Sequence, residues 1–278
     1  MPEKTSGALD THGPSAVGLT RLSKRLSFPP GGEALYRYIL RLVALEAKDE
    51  FVVVPCGRGA GAVFVARVSG ASGAGVDPDP ALVEVASQRA KNKGVGGRVH
   101  FEAAPPHDLP YQDAVFDLAL GEIDLAAAAD PPAAVRELAR VTRPGGTVVL
   151  IQLVWMRALD PGRSGALIGR LGVRPRLVVE WKQMLRDAGI TDLVVEDWSD
   201  AAGSHHQPSV LGGLAELFTF RGKLRLLPRA WKRWGWRGVR AVLSREQELR
   251  REVQDERVLG VSVIKGIRGV DDAGRDRP

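Results

Sequence analysis

Three glycines, Gly57, Gly59 and Gly61, follow the apolar run Phe51-Val52-Val53-Val54 after Pro55 and Cys56. Lacking a Cβ, such a turn lets backbone approach a bound molecule closely. A helix opening near Ala60 would aim its unpaired N–H groups at whatever lies over the turn. A carboxylate completes the pattern. Asp77 stands 20 residues beyond Gly57 and closes a second apolar run, Gly75-Val76-Asp77. At that spacing it reaches the rim of a sheet beside the glycines, where it can accept both hydroxyl protons of a ribose. The chemistry implied is the holding of a nucleoside-bearing cofactor. The pattern Gly57-x-Gly59-x-x-Ala62 is common to nicotinamide, flavin and S-adenosylmethionine proteins, so the choice among them rests on the residues downstream.

Elements that would position these groups alternate between strand and helix. A helical stripe over residues 33–46, with Leu35, Ile39, Leu42 and Val43 on one side, leads into the first strand. Asp79 and Pro80 are a good N-cap and first residue for a helix whose Leu82, Val83, Ala86 and Ala90 face a sheet. The runs Val99-His100-Phe101-Glu102 and Phe116-Asp117-Leu118-Ala119-Leu120 read as strands, with Leu109-Pro110-Tyr111 between them. Asp130-Pro131 caps a further helix, which ends in Glu137-Leu-Ala-Arg140-Val-Thr-Arg143-Pro144-Gly145-Gly146 ahead of the strand Thr147 to Val154. A helix over 175–188 capped by Gly189, a strand from Asp192 to Trp198 and a last strand over 258–267 complete the core.

This order resembles the class I S-adenosylmethionine-dependent methyltransferases, particularly the branch that includes quinone-ring and sterol methyltransferases. The match covers roughly residues 33 to 200, and its later half, from Leu109-Pro110-Tyr111 to the Pro144-Gly145-Gly146 turn, is the specific part. The resemblance implies an α/β fold: a Rossmann-like seven-stranded, mostly parallel sheet with helices on both faces, an antiparallel last strand and a helical insertion. It implies S-adenosyl-L-methionine as cofactor, held by Gly57, Gly59, Gly61, Asp77, Pro78, Pro106, His107 and Gly121, with the helix over 33–46 beside the pocket, where Tyr36 or Tyr38 would line it or pack in the core. It also implies methyl transfer to a small acceptor by in-line displacement, with Glu122, His205 and His206 as candidates for taking a proton from that acceptor. Three positions depart from the family: Val53 and Pro105 stand where it usually carries acids, and Pro55 where it usually carries glycine. Two other readings stay open, a binding or regulatory protein of the same fold without catalysis, and a nicotinamide-dependent oxidoreductase. The Pro-Gly-Gly turn argues against the second.

The chain has 278 residues, 44% hydrophobic and 26% charged, which suits a globular α/β core. Its single cysteine, Cys56, permits neither an internal disulfide nor a thiolate-rich metal site, and the adjacent His205-His206 pair lacks a third ligand, so no metal is expected. No run reaches the roughly 18 apolar residues of a membrane span and the N-terminus shows no charged-then-apolar pattern, so a cytoplasmic location is expected. Residues 1–30, rich in Gly, Pro, Ser and Thr, read as a mobile arm, residues 31–200 as the methyltransferase-like core, and 268–278 as a disordered tail.

Residues 201–257 are too long for a simple connection and read as a helical insertion or lid. Within 221–240 the chain has eight cations and no acid, interleaved with Trp231, Trp234 and Trp236, against a net charge of +6 for the whole. Cations with indoles suit a lid over the core or a peripheral contact with the inner face of a membrane. Nucleic acid is the less favoured partner, because no Asn/Asp-Pro-Pro-Tyr/Phe, the base-methylating motif, follows Phe116 to Leu120. The oligomeric state is left open.

Overall fold

The computed structural model describes residues 14–22, 32–199, 220–251 and 256–270. Among these, one sheet holds seven strands: β1 (Glu50–Val54), β2 (Ser72–Asp77), β3 (Val99–Ala103), β4 (Phe116–Gly121), β5 (Thr142–Trp155), β6 (Ile190–Asp197) and β7 (Leu259–Arg268). Their order is β3-β2-β1-β4-β5-β7-β6. The first five pair in parallel, and β7 runs antiparallel to both β5 and β6. This is the Rossmann-like α/β sheet expected from the sequence. Flanking helices are α2 (Gly32–Val43), α3 (Ala60–Ser69), α4 (Pro80–Asn92), α5 (Pro131–Val141), α6 (Pro161–Leu171) and α7 (Val178–Asp187).

The central strands are buried on both faces, which is why β1 reads as an unbroken apolar run rather than an alternating one. Helices arise where a cap and a stripe coincide. Asp79 caps α4 by accepting from the Ala81 N–H, and Asp130 caps α5 by accepting from the Ala133 N–H. On α5 the buried residues Ala134, Val135, Leu138, Ala139 and Val141 recur at helical spacing.

Some boundaries differ from expectation. The Pro144-Gly145-Gly146 turn lies inside β5, as an irregularity between the pairs Phe116↔Thr142 and Leu118↔Thr147. Gly145 has a φ of 79°, in the left-handed region that favours glycine. Helix α6, capped by Asp160, lies between β5 and α7, where the sequence reading named no element. The last strand starts and ends one residue later than 258–267.

Two further helices, α8 (Phe220–Trp234) and α9 (Trp236–Arg250), form a hairpin inside the expected 201–257 insertion. Within the 1–30 segment, residues Ala16–Leu22 form a helix, α1. Its Leu19 is fully buried against Leu226, Ala230, Ala241 and Val242 of the hairpin, a small second core. Gly238 lets α9 lie against the backbone of Ala230 on α8.

Candidate functional site

The strand order reverses between β1 and β4, where the chain runs out through β2 and β3 and returns on the other side of β1. Loops leaving the C-terminal ends of two such strands diverge, and open α/β sheets hold ligands in the crevice between them. Val54, the last residue of β1, is the register partner of Gly121, the last of β4. The Glu122 N–H donates to the Val54 carbonyl at 2.8 Å, so the glycine turn and Glu122 lie side by side at this crevice.

Each glycine of the turn has its own reason. Gly57 and Gly59 have φ of 52° and 71°, a backbone that costs a side-chain-bearing residue roughly 1–2 kcal/mol. A Cβ on Gly59 would stand 2.8 Å from the Ala86 Cβ and 3.1 Å from the Phe101 ring, so this glycine lets α3 close against α4 and β3. A Cβ on Gly61 would collide with the Glu122 carboxyl and the Tyr36 hydroxyl. A Cβ on Gly57 would meet nothing within 4 Å. The open edge of the turn is therefore at Gly57. Beside it, α3 begins with Gly59 as its N-cap and no side-chain cap, which leaves the positive end of a helix directed into the crevice.

Asp77 ties this turn to β2. Its Oδ2 accepts from the Gly57 N–H at 2.8 Å and its Oδ1 from the Asp79 N–H at 3.0 Å. The carboxylate is almost wholly buried. Cys56 lies beneath the turn, and burial pushes its thiol pKa up, so it stays a neutral packing residue.

Glu122 is a strongly perturbed carboxyl. It is buried, and Tyr36, fully buried on α2, donates a hydrogen bond to its Oε1. Burial pushes the Glu122 pKa up to about 8; Asp124 and Asp77 add to the rise and the Tyr36 hydrogen bond opposes it. Burial, then the charge of Glu122, likewise raises the Tyr36 phenol.

The structure thus brings Gly57, Gly59, Gly61, Asp77, Gly121 and Glu122 to one place. Gly121 serves packing there, since a Cβ on it would reach Leu150 and Leu125. Pro78 follows Asp77 at the surface, and Pro106 is buried while His107 is exposed in the loop leaving β3. That loop abuts the site, because the Ala104 N–H donates to the Asp77 carbonyl at 3.2 Å. His205 and His206 lie outside the described residues. Tyr38 packs on Trp198 instead, with ring centroids 5.1 Å apart. Among the described residues, no group of three His, Cys, Asp or Glu side chains could hold a metal.

Two supports escaped sequence reasoning. Gln152, buried on β5, donates from Nε2 to the carbonyls of Gly121 and Glu122 at 3.2 and 3.0 Å, and its Oε1 has no hydrogen-bond partner among the described residues. A polar residue inside the apolar run Thr147 to Val154 was the available signal. Arg140 on α5 donates to the Leu109 and Tyr111 carbonyls and to Glu137, whose Oε2 accepts from the Leu109 N–H. The motif residues Glu137 and Arg140 thereby clamp the Leu109-Pro110-Tyr111 loop.

A family model described as a methyltransferase domain matches residues 52–150, the span from β1 through the centre of β5. Over this span the chain carries a methyltransferase domain, similar to the class I S-adenosylmethionine-dependent methyltransferases. Among similar curated methyltransferases is GfsG of Streptomyces halstedii, 32% identical over 138 residues, or 50% of each chain. Another is 27-O-demethylrifamycin SV methyltransferase of Amycolatopsis mediterranei, 31% identical over 166 residues, 57% of this chain and 60% of that one. The chain therefore spans half to three-fifths of the length of those relatives. Similar solved folds include a geranyl diphosphate methyltransferase in complex with S-adenosylmethionine, with TM-score 0.65, 18% identity and 85% of both chains covered. Phosphoethanolamine N-methyltransferase 2 of Haemonchus contortus has TM-score 0.68 at 14% identity, over 92% of this chain and 58% of that one.

Proposed function

We propose that this chain moves the methyl group of S-adenosylmethionine to a small, hydrophobic acceptor at the crevice between β1 and β4. The observation that carries the reading is the open edge at Gly57, bounded by the uncapped start of α3 on one side and the Asp77 carboxylate on the other. A Cβ would fill that edge, and the donor and acceptor set around it suits an adenosine bearing a ribose diol and an amino-acid tail.

S-adenosylmethionine supplies an already activated methyl, so the protein's task is chiefly orientation and exclusion of water. Asp77, held by two backbone N–H groups, is the acceptor for ribose hydroxyls. Pro78, Pro106, His107 and Gly121 border the nucleoside, and the first turn of α3 offers N–H groups to the carboxylate of the cofactor's tail. Glu122 carries a proton at neutral pH while it accepts from Tyr36. A positive charge in the crevice favours its ionised form, so Glu122 releases that proton as a cationic ligand enters. His205 and His206 are the remaining candidates for taking a proton from an acceptor hydroxyl.

The relatives' names support acceptors of differing chemistry: a demethylrifamycin for one, phosphoethanolamine for another. A second reading, a binding protein of this fold without catalysis, draws on buried Val53 and Pro55, which place no polar group at that part of the crevice. Incubation with methyl-labelled S-adenosylmethionine and a panel of hydroxylated apolar acceptors separates the two. Label in an organic-extractable product supports transfer. Cofactor binding with no labelled product from any acceptor supports the binding protein.

A further inference from the structure

The α8–α9 hairpin turns its apolar residues both inward and outward. Leu226 and Ala230 of α8 and Ala241 and Val242 of α9 are buried around Leu19. On the opposite side, Leu224 and Trp231, seven residues apart on α8, are 54% and 56% exposed. Trp236 and Leu243, seven apart on α9, are 70% and 52% exposed. Seven residues is two helical turns, so each pair lines one stripe of its helix. The stripes meet at the hairpin bend, where the Trp231 and Trp236 rings pack edge-on with centroids 6.1 Å apart. Trp234 is different: it is partly buried against the small core, beside Gly18, with Arg233 stacked over it.

Charge decides what such a face would meet. From Leu217 to Arg245 the chain carries no acid, and Arg225, Lys232, Arg233, Arg237 and Arg240 are exposed around the apolar stripes. We propose that this hairpin docks on an anionic lipid surface, with Trp231 and Trp236 at the apolar boundary and these cations on the lipid phosphates. Nucleic acid shares the phosphate chemistry, but two exposed leucines flanking the indoles have no counterpart among phosphates or stacked bases and a ready one among acyl chains. Among the described residues no helix is long and apolar enough to cross a membrane, so the contact is a surface one. It stands independently of methyl transfer, and an enzyme so placed would meet acceptors dissolved in lipid.

The test is sedimentation of the full chain with phosphatidylcholine vesicles, with and without phosphatidylglycerol. Binding is expected only to the anionic vesicles and should weaken as salt rises. The double variant Trp231→Ala/Trp236→Ala should lose about tenfold or more in binding, and Arg237→Glu/Arg240→Glu should lose more than roughly fivefold for each cation removed. All four side chains are exposed, so an unchanged circular dichroism spectrum serves as the folding control. Undiminished binding by the tryptophan variant, or no binding to anionic vesicles, overturns the proposal. So does a single-stranded oligonucleotide that binds through these residues when vesicles do not.

Discussion

Tyr36 donates its hydroxyl hydrogen bond to Glu122 directly over Gly61, joining α2 to the end of β4 across the first turn of α3. Any side chain at position 61 would push this pair apart. The pair is buried, sits beside the open edge at Gly57, and has a carboxyl that holds its proton to about pH 8. A titrating group in such a place couples pH to both folding and ligand binding.

For folding, the sign follows from the direction of the shift. The carboxyl binds its proton more tightly folded, at about 8, than at its ordinary value of 4.5. Its contribution is therefore fully present below pH 4.5, declines as pH rises and levels off above 8. Glu122→Gln abolishes that decline. Between pH 5 and pH 8.5 the melting temperature of the variant should rise relative to the parent by at least about 2–4 °C, read by calorimetry. Parallel curves would show that Glu122 does not titrate in this range. Tyr36→Phe removes the bond that favours the ionised form and should move the decline to higher pH.

For binding, a cationic ligand should expel the Glu122 proton. Titrations of S-adenosylmethionine at pH 7 in phosphate and in Tris, whose ionisation enthalpies differ, should report proton release. S-adenosylhomocysteine lacks the sulfonium charge and should release less. Equal release by both ligands, or release retained in Glu122→Gln, would assign the proton elsewhere.

The glycines separate fold from site. Gly59→Ala forces a Cβ against Ala86 in a strained backbone and should cost about 1–3 kcal/mol of stability. Gly57→Ala meets no neighbour and should cost only about 1–2 kcal/mol for its positive φ. Yet Gly57→Ala should weaken cofactor binding at least about tenfold, since its Cβ enters the crevice. Denaturant melts and binding titrations on the two variants check this. Full affinity in Gly57→Ala would place the ligand somewhere else.

Asp77→Ala should reduce cofactor affinity by roughly 10- to 100-fold, the worth of charged hydrogen bonds to a ligand. It also removes the acceptor of the Gly57 N–H, so a stability loss of about 1–3 kcal/mol should accompany it. Asp77→Asn keeps one acceptor and should fall between. Binding measured by fluorescence quenching that is insensitive to Asp77→Ala would remove this carboxylate from the site.

Much of the sheet was legible because parallel strands buried on both faces leave unbroken apolar runs, and because caps such as Asp79 and Asp130 sit where helices begin. The glycine turn and Asp77 were legible through spacing alone. Their bond was not, since Gly57 N–H to Asp77 Oδ2 depends on two strands pairing in one register. Glu122 could be nominated from its place after β4, but its partner Tyr36 lies 86 residues away and no local pattern announces such a contact. Helix α1 was hidden because a seven-residue helix among Gly, Pro and Ser owes its stability to Leu19 docking on the hairpin rather than to propensity. The three tryptophans looked equivalent in sequence, and only packing distinguishes inward Trp234 from outward Trp231 and Trp236.

The central claim is that the crevice beside Gly57 holds an adenosyl sulfonium. Calorimetric titration of the full chain with S-adenosylmethionine, S-adenosylhomocysteine and NAD tests it most directly. Saturable binding of the first two, lost in Gly57→Val and absent with NAD, is the expected result. NAD binding, or no heat with either adenosyl ligand at millimolar concentration while the chain remains folded, would contradict it.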